Sequence, residues 1–269
     1  MIMKLPFEGV LPCGVCDFSA VKDKLIECRA KFRLPEGAQS VICYLFPYYL
    51  GRDAYENSNI SKYAVSEDYH IIVGNYLEKA VNDLRSAYPQ YNFQWFADNS
   101  PIPEVFAAAL SGLGVEGKNG LLINEKYGSY CFIGEIVTDM KIPAASSEIR
   151  SCINCGKCVS ACVGGALHET GFSRDKCISH LTQCKGEASQ LTVDGIRETG
   201  CIWGCDRCQD ACPMNENVSV TPLPEFIETA RARYNFGDDI EKRAYSWRGK
   251  GVIERNFRIL CCKDEENNL

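Results

Sequence analysis

Closely spaced thiols are the residues most able to do chemistry in this sequence. They occur in two runs, CINCGKCVSACVGG from Cys152 and CDRCQDACP from Cys205, and seven cysteines share this spacing: Cys152, Cys155, Cys158, Cys162, Cys205, Cys208 and Cys212. In bacterial two-cluster proteins, the first three thiols of a C-x2-C-x2-C-x3-C run bind one [4Fe–4S] cube, and the fourth reaches the other cube. Zinc also binds paired C-x2-C units, but a terminal x3-C is uncommon in zinc knuckles. The spacing therefore predicts two [4Fe–4S] clusters, with zinc as the alternative.

The same rule assigns most of these thiols to a particular cluster. Cluster one takes Cys152, Cys155, Cys158 and Cys212, and cluster two takes Cys162, Cys205, Cys208 and one further thiol. Three residues separate Cys201 from Cys205, where a simple ferredoxin repeat has two. The spacing leaves Cys177, Cys184 and Cys201 as candidates for the last ligand.

Composition and charge limit the class of protein. Seventeen cysteines in a chain of 269 residues without an export signal argue against a disulfide scaffold, because the cytosol keeps thiols reduced. The net charge of −6 argues against a protein that coats nucleic acid. Residues 231–263 nevertheless contain nine Lys or Arg against four acids. No stretch of the sequence approaches the roughly eighteen uncharged apolar residues that a membrane span needs. We therefore expect a soluble, cytoplasmic protein with no membrane partner and one locally basic segment.

Hydrophobic patterns predict the elements that position the thiols. They indicate a strand at 39–46, a helix at 70–88, a strand within 92–100, a helix at 103–114 and two strands joined by a turn within 120–140. This order predicts an α/β or α+β domain over residues 1–145. A linker at 141–148 leads into a double-cluster domain at 146–220, where regular periodicity disappears. The basic tail at 221–269 has predicted helices at 222–234 and 241–260.

Several separated stretches together resemble one family. They are ISKYAVSEDYH (60–70), FADNSPIPE (96–104), GLGVEGKNGLLINEKYGSYCFIGEIVTD (112–139), CISHLTQ (177–183) and GCDRCQDACPMN (204–215). In this order they resemble the epoxyqueuosine reductase family, the cobalamin-dependent iron–sulfur enzymes of queuosine biosynthesis, and more distantly the reductive dehalogenases. The resemblance implies an α+β protein. Its N-terminal, nitroreductase-like α/β domain would bind cobalamin, and a bacterial-ferredoxin-like double [4Fe–4S] domain and a short helical tail would follow.

The resemblance also implies roles for particular residues. The cysteine of the C-I-S-x-L-T motif binds the second cluster in the family, which here selects Cys177. Asp98, in the motif Asp98-Asn99-Ser100-Pro101, takes the place of the proton donor. An aspartate can serve in this way only if burial beside the corrin raises its pKa. The implied cobalamin contacts are Lys62, Tyr63, His70, Asp98, Leu122, Ile133 and Ser179.

The implied reaction is the two-electron deoxygenation of epoxyqueuosine to queuosine in tRNA. We expect a monomer that takes electrons from an external donor, such as a flavodoxin or ferredoxin system. Typical relatives continue into helical repeats that help to hold tRNA, whereas this sequence ends at Leu269. Either the basic tail alone holds tRNA, or the substrate differs. The alternatives are an eight-iron ferredoxin-like electron carrier and a cobalamin-dependent reductase of a small epoxide or organohalide.

Overall fold

The computed structural model describes residues 4–144 and 148–262. The chain forms two compact units that alternate along the sequence. The first unit comprises residues 1–48, 70–154 and 218–223, and the second comprises 49–69, 155–217 and 224–269. Two predicted features lie outside the described residues. They are the middle of the linker, which contains the domain boundary at residue 145, and the end of the tail beyond residue 262. The three predicted domains stay a prediction.

A four-stranded antiparallel sheet forms the centre of the first unit. The strands of the described residues are β1 (Cys13–Asp17), β2 (Ser40–Pro47), β3 (Phe93–Ala97), β4 (Val115–Glu116), β5 (Leu122–Ile123), β6 (Cys131–Thr138), β7 (Leu167–His168) and β8 (Gly171–Phe172). The main sheet has the order β1-β2-β6-β3, and every neighbouring pair in it is antiparallel. The mixture of helices with an antiparallel sheet confirms the predicted α+β class.

The helices are mostly short. Those of the described residues are α1 (Phe18–Val21), α2 (Tyr69–Ala87), α3 (Glu104–Leu110), α4 (Lys157–Ser160), α5 (Ile178–Leu181), α6 (Gln190–Thr199), α7 (Arg207–Asp210), α8 (Pro224–Glu228) and α9 (Lys250–Cys261). No helix among the described residues has both the length and the apolar character needed to cross a membrane.

The two faces of the sheet pack against different helices. On one face, the ring of Phe46 lies 5.8 Å from that of Tyr76 in α2. On the other face, Val41, Cys43 and Leu45 are fully buried with the alanines of α3. This alternation along β2 places each second side chain on the same face. The elements that carry Asp98 and the acidic residues described below are therefore held by a packed core.

One local prediction for the first unit was wrong. The two strands expected within 120–140 do not form a hairpin, because β5 pairs with β4 while β6 pairs with β2 and β3. The predicted turn is present, since Asn124 and Gly128 form an isolated bridge. The strand β6 thus becomes a central strand of the sheet, buried along most of its length.

The second unit has its own aromatic core. Trp203 is fully buried, and its ring and that of Tyr234 each meet Tyr245 edge-on at about 6 Å. The tail helices are shorter than predicted, and α9 begins only after Gly249, whose φ of 82° favours glycine. Helix α6 was not predicted, although Ser189 accepts a hydrogen bond from the Thr192 N–H at its start.

Candidate functional site

None of the eight cysteines predicted to bind iron forms a disulfide with another described residue. Three of those assigned to cluster two lie near one another. Burial raises the pKa of Cys205 to about 11, and Asp206, Cys177 and Cys162 are close enough to raise it further. The N–H of Arg207 opposes this rise. Cys162, Cys177 and Cys205 therefore form a group of neighbouring thiols in the second unit.

A glycine allows two of these thiol-bearing segments to approach. Gly164 follows Cys162 by two residues, and a Cβ placed on it would lie 2.0 Å from the carbonyl oxygen of Lys176. Lys176 is the residue before Cys177. No side chain fits in this space, so the close contact requires glycine.

The other two candidate thiols have protein partners. The Sγ of Cys201 donates to the carbonyl oxygen of Trp203 at 3.0 Å, and burial raises the pKa of this thiol well above its ordinary value. The Sγ of Cys184 lies 3.8 Å from Nε2 of His180 and donates to the His180 carbonyl oxygen at 3.5 Å. Both sulfurs are thus engaged by neighbouring protein groups.

Backbone N–H groups point at two of the other predicted ligand sulfurs. Lys118 N–H donates to Cys152 Sγ, and Leu167 N–H donates to Cys162 Sγ, both at 3.4 Å. Hydrogen bonds to sulfur are one of the means by which a protein sets the potential of an iron–sulfur cluster. Free thiols that already accept such bonds fit a cluster.

The predicted ligands of cluster one do not all belong to the same unit. Cys152 lies in the first unit, whereas Cys155, Cys158 and Cys212 lie in the second. Among the described residues, no three His, Cys, Asp or Glu side chains form a group that could hold a single metal ion. In a cube each thiolate binds a different iron atom, so the ligand sulfurs stand farther apart than those around one ion.

Asp98 and His70 meet at the end of β3. Asp98 directly follows this strand with a φ of 57°, and its Oδ2 lies 3.1 Å from Nε2 of His70 in α2. The side chain of Asp98 is 59% exposed. Protein groups alone therefore do not bury this carboxylate as the proposed acid role requires.

Two further carboxylates, which sequence reasoning missed, lie in the same unit. Glu135 of β6 is fully buried and pairs with Cys43 and Phe96 in the sheet. Neither of its carboxylate oxygens has a hydrogen-bond partner among the described residues. Its pKa is raised well above the ordinary value, first by burial and then by Glu104. Burial and then the charge of Asp98 raise the pKa of Glu104 to about 8. A glutamate inside the apolar run CFIGEIVT was the available signal for Glu135.

Lys62 is held against the second cysteine run. Its Nζ lies 2.6 Å from Oδ1 of Asp210 and 3.6 Å from Oδ2 of Asp206, and its N–H also donates to Asp206. A Cβ on Gly204 would lie 2.4 Å from the Cβ of Ser61, so the two segments touch. A cavity of about 550 Å³ beside this contact is lined in part by Lys62, Asp206 and Asp210.

The remaining predicted cobalamin contacts fall into two groups. In the second unit, the side-chain amide of Gln183 donates to the carbonyl oxygen of Ser179 at 2.9 Å and to the hydroxyl of Tyr63 at 3.4 Å, which links these two residues. In the first unit, Leu122 and Ile133 are buried in the same apolar cluster. The half-buried polar groups of the second unit suit the amide arms of a corrin, and the apolar side chains of the first unit suit its ring faces.

Comparisons with known proteins agree with these features. Residues 151–215 match the family model for a 4Fe-4S double cluster binding domain, and residues 29–99 match the model described as epoxyqueuosine reductase QueG, DUF1730. The two matches together indicate an iron–sulfur oxidoreductase.

The chain is 33% identical over 246 residues to the epoxyqueuosine reductase of Cyclobacterium marinum, covering 90% of this chain and 76% of that protein. It is 30% identical over 215 residues to the enzyme of Lactococcus garvieae, covering 75% of this chain and 61% of that protein. This chain belongs to the epoxyqueuosine reductase family, whose cofactors are two [4Fe–4S] clusters and cobalamin.

Solved structures show the same fold. A crystal structure of epoxyqueuosine reductase with an epoxyqueuosine-modified tRNA-Tyr stem loop superposes with a TM-score of 0.75 at 24% identity, covering 93% of this chain and 76% of that one. A reductive dehalogenase superposes poorly, with a TM-score of 0.45.

Proposed function

We propose that this chain removes the epoxide oxygen of epoxyqueuosine in tRNA, giving queuosine and water. The observation that carries the proposal is the family relationship over 90% of the chain, which includes the segment where His70 meets Asp98. A relative with the same fold has been crystallised with an epoxyqueuosine-modified tRNA stem loop. These observations support tRNA as the substrate.

The reaction consumes two electrons and two protons. Both C–O bonds of the epoxide break, a carbon–carbon double bond forms, and the oxygen leaves as water. Cobalamin would supply the reducing chemistry at the epoxide, and the two clusters would supply the electrons one at a time. The protein must then deliver protons to the departing oxygen and exclude other proton sources.

Asp98 is the proposed proton donor. Its exposed carboxyl group can reach a bound substrate, and the contact with Nε2 of His70 orients it. Substrate and cofactor would have to cover this exposed carboxyl group during the reaction. His70 lies within hydrogen-bond distance of Asp98 and can pass a proton to it between turnovers.

The proposed cofactor ligands follow the sequence prediction. Cluster one is held by Cys152, Cys155, Cys158 and Cys212, and cluster two by Cys162, Cys177, Cys205 and Cys208. The closeness of Cys162, Cys177 and Cys205 and the protein partners of Cys184 and Cys201 support this choice for cluster two. Lys62, Tyr63, Leu122, Ile133 and Ser179 remain the proposed cobalamin contacts, with His70 and Asp98.

The proposal also covers the electron donor, the oligomeric state and the location of the enzyme. Because electrons must arrive from outside the chain, an external flavodoxin or ferredoxin system is the proposed donor. A cytoplasmic monomer fits a protein that acts on tRNA with reduced thiols.

The test is the reduction of the tRNA substrate by protein that carries both clusters and cobalamin. Anaerobic protein reconstituted with iron, sulfide and cobalamin should convert an epoxyqueuosine anticodon stem-loop to queuosine, detected by mass spectrometry. The cob(II)alamin EPR spectrum of the reduced protein reports whether cobalamin is bound. Failure of protein with both clusters and cobalamin to reduce the stem-loop would favour a small-molecule reductase, and failure to bind cobalamin would favour an electron carrier.

Asp98→Asn tests the acid. The amide preserves shape but carries no transferable proton, so turnover should fall roughly a hundredfold or more. The clusters and the EPR spectrum should be unchanged. The matched control is Asp83→Asn, at an exposed position of α2, which should turn over at the wild-type rate. Unchanged turnover of Asp98→Asn, where chemistry limits the rate, would contradict the acid role.

A further inference from the structure

Most cations of the basic tail are already committed to the protein. The guanidinium of Arg255 donates to the carbonyl oxygens of Cys184 and Gly186, and that of Arg243 donates to two other backbone carbonyls. Lys250 and Arg258 both approach the carboxylate of Glu254. These side chains hold the fold together, so charge count alone overstates what the tail offers to an anion.

Arg248 differs from the other arginines of the tail. It makes no hydrogen bond or ion pair with any residue that the structure describes, and its Nε is buried without a partner among them. The Nε–H donor of Arg248 is therefore unsatisfied among the described residues, and an unsatisfied buried donor costs free energy. Such a cation favours an anionic partner from outside the chain.

An exposed aromatic ring lies directly beside this cation. The guanidinium carbon of Arg248 stands 3.7 Å from the centroid of the Trp247 ring. The side chain of Trp247 is 58% exposed, whereas Trp203 is fully buried. A flat ring with an arginine stacked on it presents a surface on which nucleic-acid bases stack.

Two further groups extend this surface in the second unit. Burial lowers the pKa of His180, and the positive charges of Arg174 and Arg248 lie near enough to lower it further, while Asp175 opposes them. Arg174 is exposed and makes no ion pair with any described residue. His180 follows Ser179, one of the proposed cobalamin contacts, so the surface adjoins the segment where the reacting base must arrive.

We propose that Arg174, His180, Trp247 and Arg248, here called the Trp247 patch, bind the single-stranded loop of the RNA substrate. An unpaired base stacks on Trp247, and the two arginines hold neighbouring phosphates. The choice of RNA as the partner rests on the proposed function. The Trp247 patch adds the place on this chain where the RNA binds. An acidic electron donor would pair with the arginines, but it has no comparable use for an exposed tryptophan ring.

The first test is stem-loop binding by the reduced holoenzyme at low salt. Trp247→Ala should weaken binding roughly 5- to 100-fold, the range expected for loss of one base stack. Trp247→Phe should retain most of the affinity because phenylalanine still stacks. Phe32→Ala, which removes an aromatic side chain that is 93% exposed in the other unit, is the matched control and should bind as the wild type does.

Salt dependence provides a second measurement. Arg248→Gln should reduce the slope of log K against log salt by about one, because one phosphate contact is lost. Arg258→Gln removes the same charge from the tail, but Arg258 is held by Glu254 and stacks on Phe236, so its slope should not change. Quenching of tryptophan fluorescence by the stem-loop should disappear in Trp247→Phe.

These results separate the patch from the proposed reaction. If the wild-type protein reduces the stem-loop and Trp247→Ala binds it equally well, the patch is wrong and the reaction stands. If binding depends on Trp247 but no reduction occurs, the patch stands and the reaction is wrong. If Trp247→Ala slows electron delivery from the donor without changing RNA affinity, the patch binds the donor, and the inference is overturned.

Discussion

Replacing Gly164 with alanine should remove one cluster and leave the other. The new Cβ would lie 2.0 Å from the carbonyl oxygen of Lys176, while ordinary contact begins at 3.4 Å, so the two backbones must separate by about 1.4 Å. Metal–thiolate bonds are only about 2.3 Å long. A shift of this size beside both Cys162 and Cys177 is too large for one cube to keep both ligands.

The assay is iron and sulfide content after anaerobic reconstitution, with EPR of the reduced protein. Wild-type protein should contain about eight irons per chain, and Gly164→Ala about four. Overpacking of this kind typically costs about 1–3 kcal/mol, so retention of cluster one checks that the chain still folds. The control is Gly251→Ala, because a Cβ on Gly251 in α9 meets nothing within 4 Å. Eight irons in Gly164→Ala would refute the assignment of Cys177 to cluster two.

Two other predictions test neighbouring conclusions. Cys177→Ala should lose cluster two alone, whereas Cys184→Ala and Cys201→Ala should keep about eight irons, and equal loss in all three would contradict the ligand set. Because Glu104 holds its proton in the folded state up to about pH 8, against about 4.5 ordinarily, the wild-type free energy of unfolding should fall by up to about 1.4 kcal/mol per pH unit between about pH 4.5 and 8 and then level off. Urea unfolding of Glu104→Gln should lack that fall, the exposed control Glu148→Gln should retain it, and a fall that persists in Glu104→Gln would rule Glu104 out as its source.

Local patterns predicted the elements that have strong periodicity. The buried strand at 39–46 and the helix at 70–88 agree with β2 and α2 within one residue at each end. The cysteine spacing predicted the two-cluster domain, because short loops that wrap a cube leave a fixed spacing in the sequence. These features depend on neighbours in the chain.

Features that depend on distant residues escaped prediction. Ile136 of β6, for example, pairs with Ile42 of β2, which lies 94 residues earlier in the chain, and local alternation does not reveal this pairing. Charge counts could not show that Arg255 donates to backbone carbonyls while Nε of Arg248 has no partner among the described residues, since both are tail arginines in sequence. The burial of Glu135 and the close contact at Gly164 likewise arise only when separate segments pack.

The alternation of the chain between two units has a consequence for its synthesis. The N–H of Ser61 donates to the carbonyl oxygen of Trp203 at 2.8 Å, so residues 142 positions apart must meet to close the second unit. At about 5–20 residues per second, a ribosome needs roughly 7–28 s to add the later partner. Until residue 155 is made, the nascent segment 49–69 has none of its native partners from 155–217. A premature stop after residue 217 would remove residues 218–223 from the first unit and 224–269 from the second.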